Sequence, residues 1–124
     1  MATPDLAKTY NAEANINPYT IVKFGANDFG VLPAAASTDQ LVGVSTNLTV
    51  LSGNRVDVYH DDIVYVKLGG TVARGAFVTS DVNGNGVAAA PGAGVNANVI
   101  GMARQSGVVG DVIEVLIGVC RIQG

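Results

Sequence analysis

Gly53-Asn54-Arg55-Val56-Asp57-Val58 returns in altered form as Gly110-Asp111-Val112-Ile113-Glu114-Val115, and this second appearance decides the fold. Each segment is a glycine turn followed by an alternating strand, and Gly53 to Gly110 is an offset of 57 residues. Working outward, Gly30-Val31 returns as Gly86-Val87 at an offset of 56, and Gly43-Val44-Ser45 returns as Gly101-Met102-Ala103 at an offset of 58. A near-constant offset marks two copies of one supersecondary unit.

The segments between these anchors read as short strands. Residues 20–24 are rich in β-branched and aromatic side chains and stop at Gly25. Residues 41–45 form the next run. Residues 55–59 alternate cleanly, with Val56 and Val58 on one face. Residues 63–68 alternate again, with Val64, Val66 and Leu68 together. The second copy begins near residue 76 and turns through residues 81–86, where Asn83-Gly84 is a hairpin signal. Residues 88–98 are a small-residue connection, and residues 99–103 answer 41–45. Residues 112–122 form the longest apolar run, expected as a buried strand or one that bends at Gly118. Short strands at this spacing predict an all-β sandwich, barrel or related unit.

Residues 1–17 are polar and lack steady periodicity. They are expected as a loosely ordered N-terminal arm, with residues 18–124 as a single β domain.

Composition narrows the function. Charged residues are 14% of the chain, against an ordinary ~25%, and sixteen glycines accompany no tryptophan. So sparsely charged a surface points to interfaces. A net charge of −3 with seven scattered basic residues argues against nucleic-acid binding. No secretory signal and no apolar run long enough to span a membrane is evident. The single cysteine, Cys120, forms no internal disulfide and is expected as a small buried residue.

Apparent chemical motifs have simpler readings. Asp81-x-Asn83-x-Asn85-Gly86 matches half of a calcium loop, but Gly92 stands where a bidentate glutamate is needed, so a hairpin turn is expected. Gly92-Ala93-Gly94-Val95-Asn96-Ala97 matches a dinucleotide fingerprint without the strand before it or the helix after it. His60 beside Asp61 and Asp62 lacks a nucleophile or metal partner and reads as a surface turn. Asp57 and Glu114, at equivalent strand positions, are expected to face solvent or a subunit. Neither a metal, a cofactor nor a catalytic activity is expected.

Several of these positions, in order, resemble a known family. Val22-Lys23-Phe24-Gly25, Gly30-Val31, Ala34-Ala35, Thr38-Asp39, Gly43-Val44-Ser45, Val56-Asp57-Val58, Gly69-Gly70, Ser80-Asp81, Ile100-Gly101-Met102-Ala103 and Gly110-Asp111-x-Ile113-x-Val115 are similar to tailed-phage capsid cement, or head decoration, proteins. The resemblance implies a compact β-barrel or β-tulip-like domain akin to lambda-type decoration proteins. It further implies a non-enzymatic protein of the outer capsid surface, made in the host cytoplasm. Its partners would be the major capsid protein and, as a homotrimer, copies of itself, with neither nucleic acid nor membrane. The arm is the expected capsid contact, through Thr3, Pro4, Asp5, Tyr10, Asn15 and Ile16, with residues 88–98 as the second choice. The rival expectation is a carbohydrate- or host-binding β module of a virion surface.

Overall fold

A computed structural model describes residues 7–60 and 63–123. Among these the fold is all-β, with no helix. A first unit holds β1 (Ala7–Ala12), β2 (Ile21–Phe24), β3 (Gly30–Pro33), β4 (Leu41–Ser45) and β5 (Arg55–Tyr59). A second unit holds β6 (Ile63–Lys67), β7 (Phe77–Ser80), β8 (Gly86–Ala88), β9 (Asn96–Ala103) and β10 (Val112–Gln123).

The repeat is structural as well as sequential. In the first unit β3, β2, β4 and β5 are neighbours in that order, and β1 pairs with β5. In the second unit β8, β7, β9 and β10 follow the same order, and β6 pairs with β10. Even the register repeats. Ala7 opposes Tyr59 and Tyr10 opposes Val56, as Ile63 opposes Leu116 and Val66 opposes Ile113. The Ile16–Val50 bridge reappears as Val72–Gly107.

This corrects the N-terminal arm. Residues 7–17 belong to the first unit, because β1 is the counterpart of β6, 56 residues earlier (Ala7 to Ile63). Its backbone groups find ladder partners on β5 and, in parallel, on β3. Residues 1–6 lie outside the described residues.

The units differ in closure. Parallel pairing of Asn11 with Gly30 and Ala12 with Val31 closes the first sheet into a barrel. In the second unit the same contact shrinks to one bridge, Leu68–Gly86, and the sheet stays open. Closure removes sheet edges. The barrel encloses its own core of Tyr10, Ala12, Ile16, Val22, Val31, Val42, Val56 and Val58. The inner face of the second sheet (Val64, Val66, Val78, Ile113 and Val115) is instead covered by Ile21, Ala34, Leu41 and Val44 of the first unit. β4 serves both cores, which is why all five of its residues are buried. Each fully buried aliphatic side chain contributes about 1.5–3 kcal/mol of transfer free energy.

Two equivalent glycines permit this packing. A Cβ on Gly43 would collide with the Tyr59 carbonyl oxygen, and one on Gly101 with the Leu116 carbonyl oxygen. Backbone hydrogen bonds then cross the seam between units, from Ile21 N to Gly84 O (2.8 Å) and from Lys67 N to Tyr19 O (3.1 Å).

The long apolar run behaves as expected only in part. β10 alternates buried and exposed as far as Val115. A register shift between Ile117 and Cys120 brackets Gly118, where the bend was expected. Beyond it the strand is largely exposed, because β6 ends opposite Leu116 and leaves β9 as its partner. Cys120 is accordingly exposed, correcting its expected burial.

Candidate interaction surfaces

Among the described residues, those expected to contact a capsid (Tyr10, Asn15 and Ile16) do not share one surface. Thr3, Pro4 and Asp5 lie outside the described residues. Tyr10 and Ile16 point into the barrel core and are withdrawn as contacts, since alternation on β1 turns Tyr10 and Ala12 inward and the Val50 bridge buries Ile16. Asn15 is exposed, with its Oδ1 accepting a hydrogen bond from Ser52 N (2.9 Å).

The motif residues have structural work. Asp81 Oδ1 accepts from Asn83 N (2.8 Å) and Asn85 N (3.0 Å), so this carboxylate closes the β7–β8 hairpin. In the first unit Glu13 does the same for the β2–β3 turn, accepting from Ala26 N and Asn27 N. Residues 92–95 form a turn closed by Val95 N to Gly92 O, and a strand follows it where a dinucleotide site requires a helix. Asp57 is exposed and accepts from the Thr9 hydroxyl at 2.8 Å; Glu114 holds the equivalent place, 3.4 Å from the Tyr65 hydroxyl. His60 is half-buried at the end of β5, and its Nε2 is buried with no hydrogen-bond partner among the described residues. That departs from a plain surface turn; Asp61 and Asp62 lie outside the described residues.

Three surface features were not singled out in the sequence. The first is an open groove of about 870 Å³ along the seam, lined by Asn17, Tyr19, Thr20, Lys67, Asn83 and Asn85 among others. Tyr19 sits there at φ 56°, with its ring edge-on to Tyr65 at 6.3 Å. The second is the tip of the β2–β3 hairpin, where Phe24 and Phe29 are exposed and the Lys8 ammonium lies 5.0 Å from the Phe29 ring. The third is the outer face of the second sheet. Register places Ile63, Leu116, Met102 and Phe77 side by side across β6, β10, β9 and β7. Directly opposed residues share a face, so these four form one apolar row.

A solved structure shares this fold end to end. It is the head fiber gp8.5 N base of bacteriophage phi29, with a TM-score of 0.69 over 96% of this chain and 98% of that one. Sequence identity is 19%, so the likeness is one of fold. No protein-family model matches the chain, and no curated protein does. The resemblance to cement proteins therefore has no family match behind it, while the all-β architecture stands.

Proposed function

We propose that this chain is a non-enzymatic structural protein of a phage head, carried on the outer capsid surface as a decoration, or cement, protein. The observation that carries the reading is the fold shared along nearly the whole chain with a phage head fiber base. The ordered resemblance to cement proteins and the sparse surface charge agree with it.

The physical logic is linkage. A protein that bridges neighbouring major capsid subunits binds the assembled shell and not its separated parts, so it stabilises the shell by about 2.7 kcal/mol per site at a hundredfold excess over Kd. A homotrimer multiplies this through effective concentration. Thr3, Pro4 and Asp5 stay as candidate contacts. Removing residues 2–6 tests them without disturbing β1, whereas a deletion reaching residue 15 would open the barrel.

Co-sedimentation and cryo-EM with expanded and unexpanded heads of tailed phages test the whole reading. Density at capsomer junctions of expanded heads is the expected result. Bare shells from every head tried would overturn it.

The seam groove favours one other reading. Amide, hydroxyl and tyrosine groups line it, and such groups suit a glycan. Saturable binding on a glycan array, lost in Asn83→Ala, would support a carbohydrate-binding module instead.

A further inference from the structure

The two units offer an internal control for the seam groove. Where the sheet sets the chemistry, both copies agree. Tyr59, Val44 and Ile21 are the first unit's counterpart of the apolar row, joined by the same pairings, with Ile21 and Val44 buried against the second unit. The segment that leads into this row does not agree. Asn17-Pro18-Tyr19-Thr20 lines the groove, and its counterpart 56 residues on is Ala73-Arg74-Gly75-Ala76. The backbone does the same in both, for Tyr19 has φ 56° and Gly75 φ 89°. Thr20 O accepts from Ser45 N just as Ala76 O accepts from Ala103 N. Glycine meets that backbone requirement without strain. The first unit instead places a bulky ring in the left-handed region, flanked by an amide and a hydroxyl. Strain of this kind gathers at ligand sites.

We infer that the seam groove binds an acidic oligosaccharide, with the amides of Asn17, Asn83 and Asn85 on its hydroxyls, the Tyr19 ring against a sugar face and Lys67 on its carboxylate. The groove offers side chains and not backbone. Tyr19 N donates to Thr46 O (3.0 Å), Tyr19 O accepts from Lys67 N (3.1 Å), and Asp81 holds Asn83 N and Asn85 N. Backbone so occupied leaves no edge for an added peptide strand. The three side-chain amides, the Tyr19 hydroxyl and the Lys67 ammonium have no hydrogen-bond or ion-pair partner among the described residues. Amides both donate and accept, which matches the hydroxyls of a sugar. Among the described residues no carboxylate lines the groove, and Lys67 is its lining cation. One cation in a chain of net charge −3 suits a single carboxylate and not a dense polyanion. The volume of about 870 Å³ falls within the ~300–1,000 Å³ usual for ligand sites.

This rests on the glycan reading of the groove and names the class of sugar; head binding is measured separately, so either can fail alone. Calorimetric titration of the full chain with tetragalacturonate and with sialyllactose tests it. The first carries an acid on every sugar and the second on a terminal one, so the pair tells an acidic chain from an acidic end. At least one is expected to bind saturably. Its methyl ester should bind about tenfold more weakly, the loss of one charge-assisted contact. Lys67→Gln should bring the acid down to the affinity of its ester and leave the ester unchanged. Tyr19→Gly should weaken acid and ester alike, by about tenfold, with the urea midpoint kept, which a merely structural tyrosine would not do. Acid and ester bound equally, or Lys67→Gln without effect, would overturn the acidic ligand while leaving a neutral glycan in the groove. Neither probe bound at about 1 mM would overturn both. A proline-rich peptide bound in their place, and lost in Tyr19→Gly, would overturn them too and give the groove to a peptide.

Discussion

The first unit closes on itself and hides its outer row; the second stays open, takes its covering from the first, and leaves the matching row bare. Their strand order and most of their register are the same. The difference lies in a few pairings and a few side chains. Two bonded pairs close the barrel where one bridge stands in the second sheet. One repeated fold thus yields a self-contained module and a dependent one, and the dependence orients the pair.

The comparison is broken most severely at the covered row. Ile21→Ala should cost about 4 kcal/mol, since the residue is fully buried between the units. Its counterpart Phe77→Ala should cost less than about 1 kcal/mol in the monomer, being exposed. Urea unfolding of both variants measures the gap, and equal losses would refute the asymmetry. A second pair sharpens what the units share. Gly43→Ala and Gly101→Ala each drive a Cβ into a carbonyl oxygen across the sheet, so each should cost about 2–3 kcal/mol and the two should agree. Unequal midpoints would mean that one unit yields more easily. The smallest effect concerns a turn. Gly75 has φ 89° with nothing near its Cβ position, and its counterpart Tyr19 has φ 56°. Gly75→Ala should cost about 1 kcal/mol through backbone strain alone. Tyr19→Gly should change stability by less than about 0.5 kcal/mol, because relieved strain offsets the lost ring contact with Tyr65 and the added glycine entropy.

Much of this architecture was legible in the residues. The glycine-anchored offsets located β2 to β5 against β7 to β10, and alternation assigned the inner faces of β5 and β6. β1 escaped because its inward positions are chemically disguised. Where β6 places Val66 and the chain continues to Leu68, the first unit has Tyr10 and Ala12, and exposed Lys8 stands where Val64 is buried. Carrying the 56-residue offset back from Ile63 to Ala7 would have found the strand, and with it the inward turn of Tyr10. Exposure of the second row was a different matter. Ile21 and Phe77 both read as apolar strand residues, and alternation says which side chains share a face without saying what lies over that face. The groove was invisible for a similar reason, as its lining comes from both units and only folding brings Asn17 and Tyr19 near Asn83 and Asn85.

The dependence between units also sets an order in time. The barrel has all its strands once Tyr59 has left the ribosome, yet Ile21 and Val44 stay bare until β10 arrives, about 57 residues later. At ordinary synthesis rates that is an interval of about 3–11 seconds. During it the apolar row of the first unit faces water. The second unit, on emerging, covers those side chains with Val64, Val66, Ile113 and Val115.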